Sequence, residues 1–88
     1  NVSRGGIVNE SDLAEALNQE LIAGAGIDVT SLEPLPFSSP LLTAKNIVLT
    51  PHMAWYSEEA SSDLKTKTAE EAARFLTGKP LLNQLNRF

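Results

Sequence analysis

The chain has 88 residues, 42% of them hydrophobic and 20% charged, and a formal net charge of −4. That length allows one small domain, and an acidic balance without a basic cluster excludes a nucleic-acid binder. With no cysteine and one histidine, disulfides, thiolate metal sites and histidine cages are excluded, and no metal is expected.

The opening "NVSRGGIV" reads as a strand exit and a turn whose strand body is missing, as expected of part of a longer protein. A helix is then predicted from about Glu10 to about Glu20. Asn9 caps it, Glu10 and Asp12 favour its first turn, Leu13, Ala16, Leu17 and Leu21 form its apolar stripe, and Gly24 is placed to end it. "AGAGIDV" suits a short buried strand ending in Asp28. Pro34, Pro36 and Pro40 mark a long loop with a short turn near Leu41 and Leu42. "IVLT" is a second buried strand, halted by Pro51. From Ser57 the pattern is helical again. Ala60, Leu64, Thr68, Ala72, Phe75 and Leu76 lie on one side, and Gly78 and Pro80 stop the helix. A tail follows with Leu81, Leu82, Leu85 and Phe88, which without a covering partner are expected to be exposed and drive association.

Strands alternating with helices, and buried on both faces, indicate α/β with a parallel sheet. No apolar run approaches the ~20 residues of a membrane span, and no signal peptide is visible, so no membrane partner is expected.

Three groups stand at or just beyond strand ends, where open α/β sheets place their ligands. Arg4 follows the first strand exit. Asp28 ends the next strand, with Glu33 in the loop beyond. His52, the only histidine, follows the last strand. Singly, each has an ordinary reading as a solvated arginine, a turn-forming carboxylate or a structural histidine. Together they suit reduction of a 2-oxo acid. An imidazole can protonate a carbonyl oxygen near neutral pH. A carboxylate on its far nitrogen orients the ring and favours the imidazolium. A guanidinium clamps a substrate carboxylate.

The blocks "NVSRGGIVNESDLAEAL", "IAGAGIDVTSLEP", "SPLL" and "NIVLTPHMAWYSEEA" resemble, in order and spacing, the NAD-dependent D-isomer-specific 2-hydroxyacid dehydrogenases. The resemblance runs over about positions 1 to 77. It implies the C-terminal part of a doubly wound, Rossmann-like NAD-binding domain over 1–54, and a helix and tail belonging or crossing to the substrate domain over 55–88. It implies Arg4 as the substrate-orienting arginine, Glu33 as the carboxylate paired with the histidine, and His52 as the acid/base. Asp28 is implied to contact the nicotinamide carboxamide, with Asn1, Val2, Ser3 and Ala54 alongside the nicotinamide. The implied cofactor is NAD, with NADP left open, and the implied substrate is a small 2-oxo or 2-hydroxy acid. The parent protein is expected to be a cytoplasmic homodimer.

The glycine-rich dinucleotide fingerprint of the family is absent from these 88 residues, so the chain alone is expected to be inactive. "HMAWYSEEA" is similar to the branch containing C-terminal-binding proteins and the glyoxylate or hydroxypyruvate reductases, with a tryptophan three residues after the histidine. Trp55 has two readings: an indole facing the substrate's substituent, or packing against the final helix. Tyr56 has no assigned part. The alternative function is an NAD-sensing binding protein of the corepressor type.

Overall fold

A computed structural model describes residues 1–86, so the expectation for Phe88 lies outside the described residues. The elements run α1 (Glu10–Asn18), β1 (Ala25–Ile27), a 3₁₀ turn (Pro40–Thr43), β2 (Ile47–Leu49) and α2 (Glu58–Leu76). They fall into two compact units, Asn1–Ala54 and Trp55–Phe88.

In the first unit β1 and β2 pair in parallel, Ala25 opposite Ile47 and Ile27 opposite Leu49. The α/β class with a parallel sheet therefore holds. Ala25 and Ile27 bond toward β2, through Ala25 N–H to the Asn46 carbonyl and Thr50 N–H to the Ile27 carbonyl. The groups of Gly26 and Asp28 point the other way. The Asn1 nitrogen donates to the Gly26 carbonyl at 2.8 Å, and Asp28 N–H donates to the Asn1 carbonyl at 2.9 Å. That is the pattern of a parallel ladder, so Asn1 lies beside β1 on the edge opposite β2.

α1 begins where the sequence places it. The Asn9 side chain accepts from the amides of Ser11 and Asp12, two of the donors that a first helical turn leaves unpaired. Its end differs from expectation. The helix stops at Asn18, and Glu20 rather than Gly24 takes the left-handed conformation, with φ +58°. Glu20 N–H bonds to the Leu17 carbonyl and Leu21 N–H to the Ala16 carbonyl, which satisfies the last carbonyls in the manner of a Schellman turn. Lys45 reaches the Glu20 carboxylate at 3.1 Å, and the Asn18 side chain accepts from Lys45 N–H. The C-terminal end of α1 is thus tied to the approach of β2.

The core of this unit is Ala14 and Leu17 from α1, Ile27 and Val29 around β1, and Leu41 from the 3₁₀ turn. Leu17 and Leu41 are fully buried, each stabilising by about 1.5–3 kcal/mol relative to exposure. Ser39 caps the 3₁₀ turn by accepting from Leu41 N–H, which seats Leu41 against α1.

In the second unit Ser57 caps α2 by accepting from Ala60 N–H. Gly78, at φ +68°, closes its far end, with Gly78 N–H bonded to the Phe75 carbonyl and Lys79 N–H to the Arg74 carbonyl. The apolar stripe expected of this helix is present, but no described residue of α2 is buried. Leu64, Phe75 and Leu76 are exposed, as are Leu82 and Leu85 of the tail. The Glu71 carboxylate holds the start of the tail by accepting from Leu82 N–H at 3.1 Å. No described helix is long and apolar enough to cross a membrane.

Candidate functional site

The site is built at the carboxyl ends of the parallel strands, from the residues that follow them. Beyond β2 the chain turns sharply at Thr50, Pro51 and His52. Pro51 bars continuation of the strand, and His52 adopts a left-handed backbone with φ +56°. Histidine tolerates that region better than most side chains. Its N–H donates to the Asp28 carbonyl at 2.8 Å, which ties the turn back to the end of β1.

The Asp28 side chain completes the tie. Buried at 5% exposure, its carboxylate accepts from the Thr50 hydroxyl, from Met53 N–H at 2.8 Å and from Ala54 N–H at 2.9 Å. The Thr50 hydroxyl above all holds the Asp28 carboxyl below its ordinary value of 3.8, helped by the two amides and opposed by burial. Three of the roughly four acceptor positions of a carboxylate are filled, which leaves capacity on Oδ2.

His52 Nδ1 lies 2.8 Å from Glu33 Oε2. The other carboxylate oxygen, Oε1, accepts from Thr30 N–H at 3.2 Å. The His52 contact first, and then the Thr30 amide, hold the Glu33 carboxyl below its ordinary value of 4.5. Both partners are about 40% exposed, so the pair is open to solvent. Glu33 is placed to accept from the ring at Nδ1 and so to orient it.

The sign of the acid dependence follows from these two carboxyls. Each has a folded pKa lowered below its unfolded value, so each stabilises the folded turn fully above about 4.5 and loses that effect as pH falls through its lowered value. The 50–54 turn is therefore expected to loosen in acid as these two carboxyls take up protons. Amide hydrogen exchange at Met53 and Ala54, corrected for its intrinsic pH dependence, checks this. Exchange unchanged down to about pH 3 would show that the two carboxylates do not hold the turn.

The remaining residues predicted from the sequence fall into two sets. Asn1, Asp28 and Ala54 form one connected cluster, Asn1 through its carbonyl and Ala54 through its amide. The Asn1 side chain accepts from Ser3 N–H and donates to the Arg4 carbonyl, which folds the segment through exposed Val2 and Ser3 into a tight turn. Arg4 is not drawn into the His52–Glu33 pair: its guanidinium donates to the Ser3 carbonyl at 2.7 Å, and it forms no ion pair among the described residues. Trp55 belongs to the second unit. It is half-exposed, and its ring meets Tyr56 edge to face, centroids 5.5 Å apart. That contact gives Tyr56 a structural part that the sequence does not reveal.

Thr50 and Gly5 support the site in ways that sequence reasoning passes over. A methyl group added at Gly5 would overlap the Thr30 carbonyl and come within 2.8 Å of the Ser31 Cα, so only glycine allows the Arg4 turn to lie against the Glu33 loop. The signal was present as a glycine beside the arginine, but its neighbour is 25 positions away. A cavity of about 430 Å³ opens within the first unit, lined by Ile27, Leu42 and Leu49 together with Asp28, Glu33 and His52.

Parallel strands with an imidazole–carboxylate pair beyond their carboxyl ends place the chain in the open α/β class, whose ligands bind at that edge. Residues 1–54 match the family described as D-isomer specific 2-hydroxyacid dehydrogenase, NAD binding domain, and the chain belongs to that family. It is 41% identical over 87 residues to a hydroxypyruvate reductase of Blautia hydrogenotrophica, covering 99% of this chain and 27% of that protein. It is 42% identical over 85 residues to the human glyoxylate reductase/hydroxypyruvate reductase, covering 97% and 26%. Its fold superposes with a TM-score of 0.76 on a D-isomer specific 2-hydroxyacid dehydrogenase from Xanthobacter autotrophicus Py2 in complex with NADPH and MES, at 38% identity over 98% of this chain and 35% of that one. The chain spans about a quarter of the length of the curated relatives it matches.

The family's cofactor is a nicotinamide dinucleotide, and the residues present fit its nicotinamide end. Asp28, a buried carboxylate at a strand exit with acceptor capacity left on Oδ2, is a group that can accept from the NH₂ of a carboxamide.

Proposed function

We propose that this chain is the acid/base portion of an oxidoreductase that interconverts a small 2-oxo acid and its D-2-hydroxy acid with NAD(H) or NADP(H). The observation that carries this reading is the 2.8 Å contact of His52 with Glu33 at the carboxyl edge of a parallel sheet. The hydride belongs to the cofactor's chemistry. His52 supplies the proton to the carbonyl oxygen in reduction and removes it in oxidation, while Glu33 keeps the ring oriented and supports its charge. Arg4, with its guanidinium exposed, is free to swing from the Ser3 carbonyl onto a substrate carboxylate. Asp28 receives the carboxamide. Glyoxylate and hydroxypyruvate are the substrates to test, since they are named in the relatives at 41–42% identity.

The full-length protein that carries this chain is expected to oxidise NADH or NADPH in the presence of glyoxylate or hydroxypyruvate, and the 88 residues alone are expected not to. Spectrophotometric loss of reduced cofactor measures both. Turnover by the isolated chain at an enzyme-like rate would refute the need for the rest of the protein. Tight NADH binding by the full-length protein without turnover across a panel of 2-oxo acids would favour an NAD-sensing binding protein instead.

A further inference from the structure

Glu33 stands in an irregular loop, and two of the bonds that shape its position are internal. Thr30 N–H donates to Glu33 Oε1, and the Thr30 hydroxyl donates to the Leu32 carbonyl at 2.8 Å. Besides these, among the described residues, the backbone of 30–33 makes one hydrogen bond to another element: Ser31 N–H donates to Glu10 Oε1 at 2.6 Å, across 21 positions of sequence. A glutamate at the first position of a helix ordinarily faces water and serves the helix dipole. Here its carboxylate makes a short, charge-assisted bond to a loop amide.

The anchor behind that bond is rigid. α1 is capped by Asn9 and fixed in the core through Ala14 and Leu17. The same segment places Gly5 against Thr30 and Ser31, one residue after Arg4. We propose that Glu10 is a positioning residue for the His52–Glu33 pair, holding the Glu33 loop in register with α1 and with the Arg4 turn. The inference rests on the reading of the site given under Proposed function. Without the Glu10 carboxylate, Ser31 N–H turns to water, the 30–33 segment gains freedom, and Glu33 spends less time in contact with His52.

The test uses the full-length protein with E10Q and E10A. Glutamine keeps an oxygen that can accept from Ser31 N–H, whereas alanine removes it. E10A is expected to lower kcat about tenfold with the KM for the 2-oxo acid within about twofold, because the loss lies in orientation and not in substrate binding. It is also expected to narrow the pH range of kcat/KM. E10Q is expected to restore at least about half of kcat and the wild-type profile. Hydrogen exchange at the 30–33 amides, read by mass spectrometry, is expected to rise in E10A and stay near wild type in E10Q. Faster exchange in E10A with unchanged kcat and pH profile would overturn the positioning role, and unchanged exchange would overturn the tether itself. If the wild-type protein turned over no 2-oxo acid, the functional reading would fail, while the exchange measurement would still decide the tether.

Discussion

His52→Asn in the full-length protein is expected to lower kcat for 2-oxo acid reduction by about 10²–10⁴-fold and leave NADH affinity within about threefold. Asparagine is the informative replacement because of the backbone. At φ +56° most side chains are strained, but asparagine adopts the left-handed region readily. The bond from the residue 52 amide to the Asp28 carbonyl and the cluster around Asp28 then stay intact, so the change removes the imidazole and keeps the turn. Steady-state kinetics beside fluorescence titration of NADH separates chemistry from binding. A collapse of NADH affinity with normal turnover of bound substrate would make residue 52 a cofactor-holding group. Glu33→Gln supplies the companion measurement. The 2.8 Å contact can persist through the amide, but the negative charge is gone. The active pH range should narrow, and an unchanged pH–rate profile would show that the pair is not coupled in catalysis.

The helix starts were legible because capping is local. Asn9 and Ser57 each lie within three residues of the amides they accept from. Gly78 was legible for the same reason, as a residue free to take positive φ where a helix must stop. The end of α1 was not. Gly24 is the better residue for such a turn, yet Glu20 takes it; Asn18 and Glu20 there meet Lys45, 27 and 25 positions away, which no local pattern reports. The apolar side of α2 was read correctly as a stripe, but periodicity says only that a face wants cover and not what covers it. In the site, the residue types and their places at strand ends suggested the chemistry, and the resemblance supplied the pairing of Glu33 with His52. The supporting bonds could not be read, since Glu10 to Ser31 and Asp28 to Ala54 span 21 and 26 positions without any local pattern.

Asp28→Ala is expected to lower kcat by about 100-fold or more at saturating cofactor, and Asp28→Asn should resemble it more than the wild type. The reason lies in how fully the carboxylate is used. One oxygen accepts from the Thr50 hydroxyl and Met53 N–H, and the other accepts from Ala54 N–H. Asparagine can satisfy the first pair with its carbonyl oxygen, but it then turns an NH₂ group toward the Ala54 amide, donor against donor. The reverse orientation strands Met53 N–H instead. Either way one amide of the 50–54 turn loses its partner beside the buried Asp28 side chain, and the left-handed backbone of His52 loses part of what holds it. If Asp28 served only to receive the carboxamide, the defect would appear as weaker NADH binding and excess cofactor would restore kcat. If it also sets the turn, kcat stays low at saturation and hydrogen exchange at Met53 and Ala54 rises in both variants. Full recovery of kcat in Asp28→Asn at high NADH would reduce Asp28 to a cofactor contact. Persistent loss makes it the residue through which the end of β1 fixes the place of the histidine.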